Sequence, residues 1–256
     1  MNGKIICLEG LDCSFKETQT KMLTERLKEL YPDKQIVAFS FPNYEKESCY
    51  FVKEYLAGNY GDIEDTSYIT SALFYALDRF DTYHKEIKDL YESGAIIFLD
   101  RYTFSNVYYQ LAKHDIMKEL YLIHTNKVTN RKQNVYGDYT KLLMNQLLHV
   151  EFGDLKLPIP DVVFFLNTNS ALSYKLASSK DNADINEKSL EYQKRVEFTY
   201  RKVQDGIMNN GYLNEMYKNI QFFKISCVTE RGDDFRTKEQ IHNDIMGKLA
   251  GVNLNV

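Results

Sequence analysis

The sequence is poor in the features that mark metal clusters, disulfide scaffolds, membrane proteins and nucleic-acid binders. Its four cysteines, Cys7, Cys13, Cys49 and Cys227, are widely spaced and form no C-x-x-C pair. That excludes a thiolate zinc site and a disulfide framework, and leaves reduced thiols as the reading. Positive charge is not in excess either: 32 basic against 36 acidic side chains give a net charge of −4, too little field to hold a nucleic-acid strand. A small phosphorylated ligand needs only a few local cations and is not excluded. No apolar run approaches membrane-spanning length, and a core strand follows Met1 so closely that no signal peptide fits. The expectation is a cytoplasmic protein without a membrane partner. There is neither an internal repeat nor a low-complexity tract. What 256 residues with 44% hydrophobic side chains do supply is enough apolar surface for a single α/β domain over 1–256.

Apolar runs alternating with helical spacings set out that domain. Ile5 to Leu8 is short and apolar, as a buried parallel strand would be, and Met22, Leu23, Leu27 and Leu30 then recur at helical intervals between Thr18 and Leu30. Gln35–Phe39 reads as a second strand, broken off before Pro42, with helices expected over Ser48–Ala57 and Tyr68–Glu92. A-I-I-F-L-D (95–100), Asp161–Asn167 and Phe222–Cys227 supply three more strands ahead of a terminal helix. Strands alternating with helices imply a parallel sheet covered on both faces, with its ligand site at the carboxyl ends of the strands.

Behind the first strand stands E-G-L-D-C-S-F-K-E-T-Q, Glu9 to Gln19. The phosphate-loop pattern G-x-x-x-x-G-K-[ST] needs a second glycine so that backbone N–H groups converge, and a hydroxyl for Mg²⁺. Gly10 and Lys16 keep the spacing, but Phe15 and Glu17 stand where the glycine and the hydroxyl belong. Lys16 is either a phosphate cation or a solvated lysine at a helix start; Asp12 either orients a substrate hydroxyl or caps the helix. Asp100-Arg101 closes the most apolar strand, where the carboxylate could hold Mg²⁺ through water and the guanidinium could fork onto phosphate, or the two could simply pair with each other. Asp78-Arg79 offers a second pair on a helix whose Phe74 and Tyr75 either stack a base or face the core. Ser178–Lys188, charge-rich and without periodicity, reads as a solvated loop or as a mobile lid near 176–188 that closes over phosphates.

Together these residues resemble the thymidylate kinase family of P-loop nucleoside monophosphate kinases, over essentially the whole chain. The family signature E-G-x-D-x-x-G-K-x-T-Q is matched by Glu9, Gly10, Asp12, Lys16, Thr18 and Gln19, and D-R-Y-x-x-S-x-x-x-Y-Q by Asp100, Arg101, Tyr102, Ser105, Tyr109 and Gln110. Phe41-Pro42, Y-A-x-D-R at 75–79, L-P-x-P-D at 157–161 and D-I-x-E at 184–187 follow in family order. The resemblance implies a P-loop NTPase-type five-stranded parallel sheet with helices on both faces, and phosphorylation of dTMP to dTDP by ATP with Mg²⁺. ATP would then sit on Gly10, Leu11, Asp12, Cys13, Ser14, Phe15, Lys16, Glu17 and Thr18. The monophosphate would meet Asp12, Phe41, Tyr75, Arg79, Arg101, Ser105, Asn106, Tyr109 and Gln110, with Tyr75 stacked on thymine, Asp12 facing the sugar 3′-hydroxyl and Tyr109 crowding the place of a ribose 2′-hydroxyl. Asp12, Lys16, Arg101 and the lid residue Lys180 would form the catalytic set, Glu17 and Asp100 would hold Mg²⁺, and a homodimer is implied.

The chain departs from the family beyond Phe15 and Glu17. Asn43-Tyr44 stand where an arginine often follows F-P, with Lys46 further on, and neither the phosphate loop nor the lid carries the catalytic arginine. Lys180 is a point charge and cannot clamp two phosphoryl oxygens as a guanidinium does. A second reading is therefore a nucleotide-binding pseudokinase that keeps the nucleoside pocket and has lost turnover. A third, a deoxynucleoside kinase, is opposed by Asp100-Arg101-Tyr102, because that group ends the strand in E-R-S or D-R-S.

Overall fold

Alternate residues of a strand point to opposite faces of its sheet, so a strand buried on both faces must be apolar throughout. β1 (Lys4–Gly10) obeys this: Ile5 and Cys7 enter one core, Ile6 and Leu8 the other. In the computed structural model of the chain, residues 2–124, 135–177 and 184–254 are described. Lys180 and the rest of 178–183, in the middle of the lid segment, lie outside them.

The chain continues through α1 (Lys16–Leu30), β2 (Ile36–Ser40), α2 (Tyr50–Leu56), α3 (Tyr68–Thr82), α4 (Lys88–Glu92) and β3 (Ile96–Asp100). It then forms α5 (Thr103–His124), α6 (Val135–Leu148), β4 (Val162–Asn167), α7 (Ser170–Ala177), α8 (Ile185–Lys188), α9 (Leu190–Asn210), β5 (Gln221–Ser226) and α10 (Lys238–Leu249). The described strands form one five-stranded sheet in the order β2-β3-β1-β4-β5, parallel throughout. The expected five-stranded parallel sheet with helices on both faces is thus observed. One core layer packs α1 and α10 on Ile6, Leu8, Ile96, Phe98 and Phe164. The other packs α5, α6 and α9 on Ile5, Cys7, Ile97, Val163 and Phe165.

Two helical stretches differ from their periodicity. The helix expected over Tyr68–Glu92 is interrupted by a π-helical turn at Tyr83–Ile87, and a second π turn at His149–Asp154 follows α6. In the second, Leu155 N donates to Val150 O five residues back. A π turn shifts the register of everything beyond it and is set by packing against neighbours, so spacing in the sequence does not reveal it. The four cysteines form no disulfide, and among the described residues no helix is long and apolar enough to cross a membrane.

The chain leaves β1 towards β2 and β3 on one side of the sheet and reaches β4 and β5 on the other. The carboxyl ends of β1, β3 and β4 therefore border a crevice, which is where such sheets bind ligands. Replacing Leu8, fully buried in the centre of β1, by alanine should cost roughly 2–5 kcal/mol. Leu30→Ala, on a side chain 47% exposed, should stay within about 0.5 kcal/mol. Urea unfolding midpoints of the two variants measure the contrast.

Candidate active site

Gly10 ends β1 where nothing larger fits: a Cβ there would lie 2.4 Å from Ser14 Oγ and 2.6 Å from Leu166 O. The loop that follows turns back into α1. Phe15, immediately before the helix, has φ 65° and ψ 12°, the left-handed conformation that glycine adopts without cost and a bulky residue rarely takes. Its ring packs edge-on against Phe235, 5.2 Å between centroids, and against the α1–α10 core layer. Phe15 therefore holds the backbone conformation of the glycine it replaces, secured by packing on the loop before α10.

Lys16 is buried, 6% exposed, and its Nζ donates to Leu11 O at 2.6 Å and Ser14 Oγ at 3.1 Å. It curls over the loop and spends its hydrogen bonds on neutral oxygens. Burial and the Arg101 guanidinium push the ammonium down to about 8, against the opposing pull of Asp100, Asp12 and Glu9. This is not the solvated helix-start lysine that was one of the two sequence readings.

Arg101 follows β3 with φ 63° and turns back to the phosphate loop. Its Nη2 is paired with Asp12, its Nη1 donates to Gly10 O at 3.0 Å and Ser105 Oγ at 3.4 Å, and the guanidinium lies 5.6 Å from the Tyr109 ring centre. The ion partner of Arg101 is thus Asp12 rather than its neighbour Asp100. Asp12 Oδ2 accepts from Tyr109 Oη at 2.8 Å and from Gln193 Nε2 at 3.3 Å. Burial would raise the Asp12 carboxyl, but Arg101, Lys16 and these hydrogen bonds outweigh it and hold it below its ordinary value. Asp100 is buried with Oδ1 unpartnered, and burial raises its carboxyl despite the nearby Lys16 and Arg101. Exposed Glu17 lines the same groove beside Asp100.

On the other side of Arg101 lies a cavity of about 70 Å³. Every residue expected at the monophosphate lines it: Asp12, Phe41, Tyr75, Arg79, Arg101, Ser105, Asn106, Tyr109 and Gln110. Tyr75 is braced edge-on by Tyr55, 6.5 Å between centroids. Asp78 and Arg79 do not pair with each other. Asp78 accepts from Asn43 N at 2.8 Å and Ser48 Oγ at 3.0 Å, which fixes the segment after Phe41-Pro42. Arg79 forks onto Glu151, with Nε–Oε2 and Nη2–Oε1 both 2.6 Å. Lys46, the nearest cation after F-P, is committed to Glu86 at 2.9 Å.

The structure adds residues that sequence reasoning missed. Glu9, matched to a motif but given no role, accepts from Tyr102 N at 3.0 Å and from Ser105 Oγ; burial lifts its carboxyl to about 7 although these bonds and Arg101 oppose the rise. Tyr200 Oη donates to Gly10 O at 3.1 Å, and Tyr44, Asp184 and Asn186 also line the cavity. Gln193 and Tyr200, seven apart on α9, share a helix face, which was the available signal. Glu151 left only an acidic residue inside the apolar run L-L-H-V-E-F.

Comparison with known proteins points to one family. A family model described as thymidylate kinase matches residues 8–136. A probable thymidylate kinase of Pyrococcus abyssi is 25% identical over 247 residues, 96% of this chain and 95% of its own length. The thymidylate kinase of Plasmodium falciparum is 26% identical over 250 residues, 98% and 91% of the two chains. Among solved structures, thymidylate kinase from Candida albicans superposes with a TM-score of 0.63 at 20% identity, covering 97% of this chain and 92% of that one. The crystal structure of thymidylate kinase from Ehrlichia chaffeensis gives 0.58 at 18% identity, covering 97% and 100%. These two likenesses concern the fold.

An anion seated in the loop would favour the charged form of Lys16. Since its ammonium titrates near 8 without one, binding of inorganic triphosphate should take up protons between about pH 8 and 10, and affinity should fall as pH rises through 8. Calorimetric titrations at pH 8.5 in two buffers of different ionisation enthalpy measure that uptake. Lys16→Met should abolish both the uptake and most of the binding.

Proposed function

The chain belongs to the thymidylate kinase family, and on that premise we propose that its site transfers the γ-phosphoryl group of ATP to dTMP, giving dTDP and ADP. The observation that carries the reading is one cavity lined by Tyr75, Asn106, Gln110 and Arg101, with Arg101 reaching back to a lysine-bearing phosphate loop. Phosphoryl transfer asks a protein for positioning and charge neutralisation rather than covalent chemistry. Lys16 meets the donor phosphates. Arg101 stands between loop and cavity and meets the phosphate that accepts the γ-group. Asp12, held by Arg101 and Tyr109, receives the sugar 3′-hydroxyl, and the Tyr109 ring closes the space a 2′-hydroxyl would need.

The unpartnered Oδ1 of buried Asp100, with Glu17 in the same groove, fits a Mg²⁺ ion held by one or two carboxylates and its waters. Bound there, the ion would neutralise charge on the donor phosphates. Lys180 is proposed as the lid cation that replaces the missing arginine. The glycine-like backbone of Phe15 and the burial of Lys16 at the loop favour a working kinase over the pseudokinase reading. The test is release of ADP with dTMP, ATP and Mg²⁺. Turnover should require dTMP, and Lys16→Met should lower kcat/KM on the order of 10²–10³-fold. Absence of turnover together with an unchanged melting temperature at millimolar dTMP would refute the substrate assignment.

A homodimer is proposed through α3. Ile69, Leu73 and Leu77, spaced four apart on one helix face, are 51%, 41% and 48% exposed, and Leu142 of α6 is also exposed. Contiguous apolar residues at a surface favour association. Sedimentation should give twice the 30.0 kDa chain mass, and Leu73→Glu should return it to the single-chain mass. A native protein that sediments as one chain would exclude the dimer.

A further inference from the structure

Glu151 is buried beside the cavity and touches two of its walls. Its Oε1 accepts from Arg79 Nη2 at 2.6 Å and from Asn106 Nδ2 at 2.9 Å, and its Oε2 accepts from Arg79 Nε at 2.6 Å. Both partners of the ion pair are almost wholly withdrawn from water, at 3% and 2% exposure. Desolvating two charges costs several kcal/mol per ion, and pairs of this kind are frequently no more stabilising than apolar residues of similar volume. Fold stability alone is therefore a poor account of the carboxylate.

Its effect on Asn106 is specific. Asn106 Nδ2 donates to Glu151 Oε1 and to Ala72 O, the latter at 3.1 Å, which commits both amide hydrogens. The opposite amide orientation would set a carbonyl oxygen against a carboxylate and a backbone carbonyl, so these two acceptors permit one orientation. Asn106 Oδ1 is consequently left buried and without a partner, and Asn106 lines the cavity. Glu151 likewise takes Nε and Nη2 of Arg79, leaving Nη1 as the guanidinium nitrogen outside the pair. The groups left uncommitted on these two cavity-lining residues are one acceptor, Asn106 Oδ1, and the N–H groups of Arg79 that Glu151 does not take, two on Nη1 and one on Nη2. A pyrimidine-2,4-dione offers the complement, an N3–H donor next to the O4 acceptor. A 4-aminopyrimidine offers the reverse, an unprotonated N3 acceptor next to an amino donor, and would leave both protein groups mispaired.

We propose that Glu151 is a positioning residue for base selection: acting through Asn106 and Arg79, it fixes the hydrogen-bond polarity that admits thymine and rejects cytosine. This rests on the reading of the cavity as a dTMP site. Without the carboxylate the Asn106 amide is released to rotate and present either face. Discrimination built on mispairing buried polar groups is the kind that a single lost orientation removes.

The test compares native protein, Glu151→Gln, Asn106→Ala and the double variant, with dTMP and dCMP as acceptors. Glu151→Gln should raise KM for dTMP about tenfold, leave kcat within about threefold, and lower the dTMP-to-dCMP ratio of kcat/KM at least tenfold. Asn106→Ala should lose discrimination to a similar degree, and the double variant should lose little more than either, as expected when one residue acts through the other. Should Glu151→Gln fail to fold, Glu151→Asp keeps the charge and is expected to show a smaller loss of the same sign. A glutamine or aspartate variant with a lowered melting temperature but unchanged KM and unchanged dTMP-to-dCMP ratio would overturn the proposal and leave Glu151 structural. Additive losses in the double variant would overturn it as well. Failure of the dTMP reading is distinguishable, because it appears in the native protein as absent selectivity for dTMP before any substitution is made.

Discussion

The site is held together by the contact between Arg101 and the phosphate loop. A guanidinium has donors pointing in several fixed directions, so one side chain can tie several elements at once. Here it joins the end of β1 through Gly10 O, the loop through Asp12 and the start of α5 through Ser105. Reaching back requires the left-handed backbone at Arg101, a conformation that persists only when its surroundings over-determine it. Glu9 provides part of that determination from beneath: it accepts from Tyr102 N and Ser105 Oγ and so anchors the first turn of α5. Tyr200 adds α9 by donating to the same Gly10 carbonyl. Removing Arg101 would break the ties from the start of α5 to Gly10 and Asp12, while Tyr109 on Asp12 and Tyr200 on Gly10 would remain.

The divergent phosphate loop is understandable in the same terms. A glycine normally supplies the left-handed residue before α1 because it has no Cβ to strain. Phe15 takes that conformation at some cost, and its ring, set against Phe235 and the α1–α10 layer, offsets the cost with buried apolar surface. The consequence is mechanical. The loop and the segment before α10 share an aromatic contact that a glycine could not make, so movement of one is felt by the other.

How much of this the sequence disclosed follows from the range of each interaction. The strands were legible because burial on both faces makes them continuously apolar, and Val162–Asn167 and Ile96–Asp100 lie where the runs V-V-F-F-L-N and I-I-F-L-D stand. The cavity lining was legible through the resemblance to a family's motifs rather than through periodicity, which on α5 shows only that Ser105 with Tyr109 and Asn106 with Gln110 share a face. The partners were not. Arg79 meets Glu151 across 72 positions, and Tyr200 meets Gly10 across 190. No local pattern encodes such a meeting; it depends on how α3, α6 and α9 come down on the sheet. Of the alternatives left open for Asp78-Arg79 and Asp100-Arg101, pairing with the neighbour is the one not realised. Successive residues of a helix diverge by about 100°, and the backbone reversal at Arg101 carries its side chain to Asp12.

Charge is distributed unequally between the two halves of the site. On the acceptor side both guanidiniums already have carboxylate partners, Arg79 with Glu151 and Arg101 with Asp12. On the proposed function, a dianionic phosphate arriving there would share Arg101 with Asp12, and stacking on Tyr75 and hydrogen bonds to the base would then carry more of the affinity. On the donor side Lys16 bonds only to Leu11 O and Ser14 Oγ, neutral groups that a phosphate oxygen displaces to advantage. On the same proposal, specificity would reside where charge is already balanced, in the geometry of Asn106, Gln110 and Tyr109. Response to ionic strength and pH resides where charge is unspent, in the loop around Lys16.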